Sequence, residues 1–238
     1  MAPDPSFGRL ALLIGPETLE TLGRTHVIIV GIGGVGSWCA EALVRSGVGR
    51  ITLVDSDSVC VSNINRQAEA LRSTVGRLKT EALEERLKDI NPLCEITCFP
   101  LVFSKENSNV FDLPGADYVI DAIDTLPNKL DLIECALAAG VRLYSSMGMA
   151  QKLDPTLIRT ADIWETSSCP LARLIRQGLR KRNMSGHFTA VYSSEKLKRC
   201  APPLKENGKI INGSAVTVTA AAGMVLASLV IRDISGAL

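Results

Sequence analysis

The stretch from Val27 to Gly36 constrains the fold more than any other part of the chain. Val27-Ile-Ile-Val30 is a continuous β-branched run, typical of a strand buried on both faces of a parallel sheet. The turn Gly31-Ile-Gly33-Gly34-Val-Gly36 follows at once, and helical periodicity begins inside it. A strand, a glycine-rich turn and a helix in this order present backbone N–H groups at a helix N-terminus, where phosphate groups bind.

The first 148 residues alternate predicted strands and helices. Further strands are predicted at 51–54, 95–99, 118–121 and 142–145, and helices at 17–22, 34–45, 78–90, 105–111 and 128–139. The alternation predicts an α/β fold, a Rossmann-like, doubly wound and mostly parallel sheet with helices on both faces. Ligands of such sheets bind beyond the carboxyl ends of the strands, where Asp55, Asp121 and Asp124 follow their strands.

The pattern changes after residue 148, and we divide a single domain there. Residues 1–148 are the predicted nucleotide-binding core, 149–213 a basic C-terminal appendage that binds substrate, and 214–238 a closing helix. Edge strands are expected within 149–168, a helix over 170–182, and a polar, largely mobile segment over 184–213. The apolar run 215–231 is shorter than the roughly 20 residues that span a bilayer. We therefore expect a helix buried in the core or at a dimer interface.

Cysteine and histidine usage limits the possible classes of protein. The chain has seven Cys, an odd number, with no pair of CxxC motifs for a zinc ribbon, and only two His, far apart in sequence. The N-terminus shows no basic segment followed by an apolar run, so no secretory signal is expected. These features favour a reducing, cytoplasmic setting without a membrane. Cys169 and Cys200 are the thiols expected at the surface, and a thioester role for one of them is an alternative.

Two groups of residues specify the nucleotide chemistry. Asp55, 19 residues after Gly36, suits the ribose hydroxyls, and to this point NAD and ATP are equally good ligands. The block Asn63-Ile-Asn65-Arg66-Gln67 and Lys79 favour ATP, because Arg66 can neutralise charge on a departing pyrophosphate. A cation that opens a helix, as Lys79 does, is unfavourable unless an anion lies nearby.

The aspartates that follow the fourth strand extend this site. Asp124 is the expected ligand of Mg²⁺ on the phosphates, and Asp121 has turn formation as its alternative role.

These residues resemble the ubiquitin-activating-like, ThiF-type adenylation superfamily over nearly the whole chain. The matching positions are the turn Gly31, Gly33, Gly34 and Gly36, the acid Asp55 with its neighbour Asp57, and Ser62, Asn63, Arg66, Lys79 and Asp124. The resemblance implies that a carboxylate attacks the α-phosphate of ATP, with Mg²⁺ as cofactor and Arg66, Lys79 and Asp124 as catalytic residues. It also implies a homodimer. The family often has an Arg before the N-terminal Phe; this chain has Ser6 there, and Arg9 is the candidate replacement.

Three segments resemble one branch, the tRNA threonylcarbamoyladenosine dehydratases: Asp121-Ala-Ile-Asp124-Thr, the segment 146–155 and the segment 166–173. That branch implies adenylation of the threonyl carboxylate of a modified adenosine in tRNA, followed by ring closure with net loss of water. The main alternative is an activator of a ubiquitin-like sulfur-carrier protein, although its usual two CxxC pairs are missing. An NAD-dependent dehydrogenase and a nucleotide-sensing scaffold for a sulfur-transfer partner are further alternatives.

The charge distribution supports an RNA partner. Residues 166–209 carry ten Lys or Arg against two acids, while the whole chain has a net charge of only +1. Concentrated positive charge favours phosphate backbone contact. The expected RNA-binding residues lie on one helix, with the first three on a face opposite Leu171, Leu174 and Ile175: Arg173, Arg176, Arg180, Lys181 and Arg182.

Overall fold

The computed structural model describes residues 5–196, 204–206 and 209–237. The strands in this part of the chain are β1 (His26–Val30), β2 (Arg50–Val54), β3 (Glu95–Phe99), β4 (Tyr118–Asp121), β5 (Arg142–Ser146), β6 (Ile158–Asp162), β7 (Thr189–Ser193), β8 (Leu204–Glu206) and β9 (Lys209–Ile211). The α-helices are α1 (Gly8–Ile14), α2 (Pro16–Arg24), α3 (Gly36–Arg45), α4 (Lys79–Ile90), α5 (Leu126–Ala139), α6 (Pro170–Lys181) and α7 (Val216–Ile234). The elements predicted in residues 1–148 are present, and their ends are shifted by at most two residues. Residues 105–111 form a 3-10 helix, and helix α1 was not predicted.

The first seven strands form one sheet in the order β3-β2-β1-β4-β5-β7-β6. Neighbouring strands run parallel except β6 and β7, which pair antiparallel at one edge. The predicted doubly wound, mostly parallel sheet is confirmed. Its strand order reverses between β1 and β4, and the crevice at that switch point is where ligands of such sheets bind.

Strand β1 is buried on both faces, and its alternate side chains enter two cores. Val27 and Ile29 pack in a core with residues of α3 and α7. Ile28 and Val30 pack in the other core with residues of α5 and α6. A continuous β-branched run suits this position because neither face of the strand meets water.

Helix α7 is the one helix among the described residues that is long and apolar enough to cross a membrane by length and composition. It packs on α3 so closely that a Cβ at Gly223 would lie 2.5 Å from Val35 O. Leu226 and Val230 are fully buried in the same core. The small residues of α7 therefore allow close helix packing inside the domain. This agrees with the expectation of a helix buried in the core.

The expectation of a polar, mobile segment over 184–213 is wrong at β7. This strand lies between β5 and β6 in the sheet, and Ala190 and Val191 are fully buried. Its apolar run ends at Tyr192 and is too short to stand out in the sequence, so burial by the neighbouring strands decides its structure. Residues 197–203 and 207–208, which share that expectation, lie outside the described residues. The expected edge strand within 149–168 is confirmed as β6.

Candidate active site

The turn between β1 and α3 depends on glycine at its first and last positions. Gly31 has a φ of +84°, and a Cβ there would lie 2.7 Å from Ala122 O in the loop after β4. A Cβ at Gly36 would lie only 1.9 Å from Gly31 O. These close approaches bring the N-terminus of α3 to the switch point between β1 and β4.

Asp55, directly after β2, is hydrogen-bonded to this turn. Its Oδ2 accepts the Ile32 N–H at 2.9 Å, and its Oδ1 accepts the Asp57 N–H at 2.9 Å. Both bonds hold the carboxylate beside the glycine turn. A fixed acceptor in this place suits the ribose hydroxyls of a nucleotide whose phosphates lie at the helix N-terminus.

Lys79 places a buried positive charge beside these acids. It is the first residue of α4 and is 5% exposed. Its Nζ donates to Asp57 Oδ2 at 2.8 Å and lies 3.8 Å from Asp55 Oδ1. Burial acts to lower the pKa of Lys79, but the carboxylates of Asp55 and Asp57 outweigh it and hold that pKa above its ordinary value. Lys79 is therefore a cation at neutral pH.

Arg66 is held against the glycine turn by its backbone and its side chain. The indole Nε1 of Trp38, in α3, donates to Arg66 O at 2.9 Å. The Arg66 guanidinium donates to Ser62 O at 2.8 Å and to Asn65 Oδ1 at 3.0 Å. A Cβ at Gly34 would lie 3.2 Å from Arg66 Cγ, so the Arg66 side chain passes directly over the turn.

Asn63 organises the loop that carries Arg66. It ends the 3-10 helix Val61–Asn63, and its Oδ1 accepts the Cys60 N–H at 2.9 Å. Its backbone oxygen accepts the N–H groups of Arg66 and Gln67, both at 3.0 Å. Asn63 thus shapes the backbone on which Arg66 stands.

The two aspartates after β4 lie in different environments. Asp121 is fully buried; its Oδ2 lies 2.9 Å from Lys129 Nζ and accepts the Ser145 hydroxyl at 2.6 Å. Lys129 also donates to Ile123 O at 3.0 Å. Asp124, three residues further on, is exposed. The carboxylate of Asp121 is therefore engaged within the fold, and that of Asp124 faces solvent.

These contacts join most of the predicted nucleotide-site residues into one cluster at the start of α3. The residues linked in this way are Gly31, Gly33, Gly34, Gly36, Asp55, Asp57, Ser62, Asn63, Arg66 and Lys79. Asp124 ends the loop whose Ala122 touches Gly31.

The side chains at this edge fit a shared Mg²⁺ ion better than an all-protein metal site. Mg²⁺ commonly binds one or two carboxylates together with substrate phosphates and water. Asp124 offers an exposed carboxylate, whereas the carboxylate of Asp121 is buried and paired with Lys129. In the part of the chain that the structure describes, no group of three or more His, Cys, Asp or Glu side chains is placed to hold a metal ion.

The five basic residues predicted on one helix, of which Arg182 directly follows the end of α6, divide into two groups. Arg176 donates to Ile163 O at 3.2 Å, and Arg182 forms ion pairs with Asp131 at 2.7 Å and Glu134 at 2.9 Å. These two guanidinium groups bind other parts of this chain. The exposed members are Arg173, Arg180 and Lys181.

The expected apolar face of α6 is wrong at Leu174, which is 41% exposed. The buried face consists of Ala172, Ile175 and Leu179, at helical positions i, i+3 and i+7. Packing against α5 and the 3-10 helix Ile163–Glu165 turns this stripe inward and leaves Leu174 at its margin. Arg180 lies over the Trp164 ring, with Cζ 5.3 Å from the ring centroid.

Of the two thiols predicted at the surface, one lies within the described residues. Cys169 is buried, so its predicted exposure is wrong: it packs with Ala172 in the core that α5 and α6 share. Cys200 lies outside the described residues.

Arg9 is exposed on α1, while Phe7 beside it packs against the core.

Two buried charged residues near the site were missed in the sequence. Lys129 falls on the inward face of α5 with Ile133 and Ala136, and this spacing was the available signal. Glu69 is also buried, but it lies in an irregular loop where no periodicity indicates burial.

The fold and the clustered side chains define a Rossmann-like domain with a glycine-rich turn, two cations and two carboxylates at the β1–β4 switch point. More specifically, the chain belongs to the ThiF family, whose model matches residues 7–237.

Relatives with high coverage share one description. The tRNA threonylcarbamoyladenosine dehydratase of Bacillus subtilis is 46% identical over 189 residues, covering 79% of this chain and 74% of the relative. That of Haemophilus influenzae is 39% identical over 238 residues, covering 94% and 91%. The crystal structure of the Escherichia coli tRNA N6-threonylcarbamoyladenosine dehydratase, TcdA, in complex with ATP superposes with a TM-score of 0.88 at 36% identity, covering 97% of this chain and 94% of that chain. A sulfur carrier protein adenylyltransferase of Thermus thermophilus is 36% identical over only 53% of this chain.

Proposed function

We propose that this protein is an ATP-dependent tRNA threonylcarbamoyladenosine dehydratase. The observation that carries the adenylation chemistry is the placement of Arg66 and Lys79 around the glycine turn, where phosphates bind a helix N-terminus. Hydride transfer releases no pyrophosphate, so it would not need these two cations to neutralise charge. The tRNA substrate is supported by the relatives that match most of this chain and carry that description.

The reaction proceeds in two displacements. An oxygen of the threonyl carboxylate attacks the α-phosphorus of ATP, the bond to the β-phosphate breaks, and pyrophosphate leaves with its electron pair. The carbamoyl group then attacks the acyl carbon and loses a proton. AMP leaves with the former carboxylate oxygen, so the nucleoside loses one water in total. Because the second attack is intramolecular, positioning supplies much of its rate and no enzyme nucleophile is required.

We propose one role for each side chain of the cluster. Arg66 passes over the turn and neutralises charge on the departing pyrophosphate, with Lys79 as the second fixed cation. Asp55 accepts the ribose hydroxyls, while Asp57 orients Lys79. Ser62 and Asn63 hold the Arg66 segment. Asp124 would hold Mg²⁺, which as a Lewis acid supplies further charge neutralisation on the phosphates.

The exposed basic residues of α6 are the proposed tRNA contact. Arg173, Arg180 and Lys181 can reach phosphates, and they would position the tRNA without reading its sequence. Arg176 and Arg182 contribute by anchoring the helix to Ile163 and to α5.

We further propose a cytoplasmic homodimer, in which Arg9 reaches the partner's nucleotide. Arg9 is exposed on α1, whose Leu12 and Leu13 are 90% and 81% exposed. Sedimentation of the wild type and of Leu13→Asp tests the dimer. Turnover by the purified protein alone would show that no sulfur-transfer partner is needed.

The decisive experiment mixes the purified protein with MgATP and tRNA that carries linear threonylcarbamoyladenosine. The RNA is then digested and its nucleosides are weighed. Loss of one water from that nucleoside, with AMP formed, is the expected result. An unchanged mass, with intact tRNA and measured ATP binding, would reject the dehydratase function.

The sulfur-carrier activator remains the second candidate because the Thermus thermophilus relative is 36% identical over 53% of this chain. Pyrophosphate exchange that depends on a carrier protein and not on tRNA would favour it.

A further inference from the structure

Glu69 is a buried carboxylate that the proposed mechanism does not use. It is 1% exposed, and neither side-chain oxygen accepts a hydrogen bond from the described residues. The Ser37 hydroxyl beside it gives its proton to Gly33 O at 2.7 Å and accepts the Ala68 N–H at 3.1 Å. A buried acid without a hydrogen-bond donor costs folding stability, and in a native structure this cost needs an explanation.

The surroundings of Glu69 place it beneath the proposed phosphate site. Ser37 lies in the first turn of α3, next to the glycine turn, and Lys79 opens α4 on the other side. The charged groups that act on Glu69 from the packed elements are the cations Lys79 and Arg86 and the carboxylate of Asp55, and Arg86 also pairs with Glu41. Burial raises the pKa of Glu69 to about 7, in spite of the nearby Lys79 charge.

The charge of Glu69 affects how strongly Lys79 can attract phosphates. Asp55, Asp57 and Glu69 all act on this one ammonium. An incoming triphosphate needs the Lys79 charge, and each ionised acid beside it opposes the phosphates. The Asp55 carboxylate accepts the N–H groups of Ile32 and Asp57, and the Asp57 carboxylate accepts Lys79, whereas neither side-chain oxygen of Glu69 has a hydrogen-bond partner among the described residues.

We propose that Glu69 is a positioning residue that takes up a proton when MgATP binds, so that its negative charge no longer competes with the phosphates for Lys79. Protonation converts the buried carboxylate into a neutral acid whose O–H can donate to a neighbour. Below neutral pH Glu69 is already protonated in the free protein, and above neutral pH it takes the proton from the solvent when MgATP binds. This inference rests on the proposed function, since it requires nucleotide at Lys79.

The test is titration calorimetry of MgATP binding in buffers of different ionisation enthalpy, with wild type, Glu69→Gln and Glu81→Gln. The glutamine has the shape of the protonated acid. Glu81 is an exposed acid in the first turn of α4, so Glu81→Gln is the matched control. Circular dichroism verifies that all three proteins are folded.

We expect wild type and Glu81→Gln to take up several tenths of a proton more per ATP than Glu69→Gln at about pH 7.5. The affinity of Glu69→Gln for MgATP should match that of the wild type at about pH 5.5 and exceed it on the order of tenfold at about pH 8.5, because a charged acid then opposes the phosphates only in the wild type.

Two outcomes overturn the idea in different ways. Equal proton uptake and equal affinity in wild type and Glu69→Gln, with ATP bound normally, would remove the role of Glu69 and leave the proposed function intact. Absence of ATP binding in all three folded proteins would remove the proposed nucleotide site, and the Glu69 inference with it.

Discussion

The ammonium of Lys129 lies 2.9 Å from the carboxylate of Asp121, and both side chains are wholly buried. The same ammonium donates to Ile123 O, and the same carboxylate accepts the Ser145 hydroxyl. The pair therefore ties helix α5 and strand β5 to the loop that leads to Asp124. Pairs of this kind add little net stability, but the loss of one partner leaves a buried charge uncompensated.

Lys129→Met should lower the free energy of unfolding by about 3–5 kcal/mol, because Asp121 would remain buried without its cation. Urea denaturation measures this directly. The control is Lys105→Met, which breaks an exposed ion pair with Glu134 and should cost at most about 1 kcal/mol. Equal losses in the two variants would contradict the assigned role of the buried pair.

Arg66→Ala should abolish nucleoside dehydration while the protein stays folded. Among the described residues, its guanidinium donates hydrogen bonds to Ser62 and Asn65 of its own loop, so little packing is lost. A loss of at least two orders of magnitude in turnover is expected if it stabilises developing charge. Arg72→Ala, an exposed arginine of the same loop, serves as the control. Turnover near that of the wild type in Arg66→Ala would exclude its catalytic role.

Gly36→Ala and Gly33→Ala should separate the structure of the turn from its ligand. At Gly36 the new methyl group would meet Gly31 O at 1.9 Å, so the turn must deform and the melting temperature should fall. At Gly33 the nearest atom is Gln67 Nε2 at 3.6 Å, so the free protein should tolerate the methyl group. Weaker ATP binding with an unchanged melting temperature is expected for Gly33→Ala. Normal ATP affinity there would place the phosphates elsewhere.

Neutralising Arg173, Arg180 and Lys181 with glutamine should weaken tRNA binding and flatten its salt dependence. Each lost phosphate contact should reduce the slope of log affinity against log salt by about 0.7–0.9. ATP affinity should not change. Arg182→Gln is the comparison, because its ion pairs with Asp131 and Glu134 predict a loss of stability instead. An unaltered salt slope in the triple variant would exclude α6 as the tRNA contact.

Glu69 should make the protein less stable as the pH rises. Its pKa is about 7 in the fold and near 4.5 in the unfolded chain, so the folded state binds more protons between these values. Stability from this group is thus complete below about pH 4.5 and falls until about pH 7, by roughly 1.4 kcal/mol per pH unit at most. Glu69→Gln should equal the wild type near pH 4 and exceed it near pH 8 in urea denaturation. A difference that does not grow with pH would contradict this.

The sequence predicted the elements that show a strong local pattern. The β-branched run of β1 and the periodic faces of α4 and α5 follow from burial on two faces or one, so the order of strands and helices could be read in advance. The short strand β7 could not, because its apolar run gains its meaning only when β5 and β6 lie on either side. The thiol of Cys169 was misplaced for the same reason: exposure depends on what packs against a residue.

The sequence by itself determined the fold class, the glycine turn and the types of residue at the proposed phosphate site, since these depend on spacing along the chain. Only the tertiary structure decided which charges meet. It paired Asp121 with Lys129 and left Asp124 in solvent, engaged Arg176 and Arg182 within the domain, and buried Glu69 near Lys79. Coulomb energy and desolvation depend on distances in space, and spacing in sequence does not encode those distances for residues on different elements.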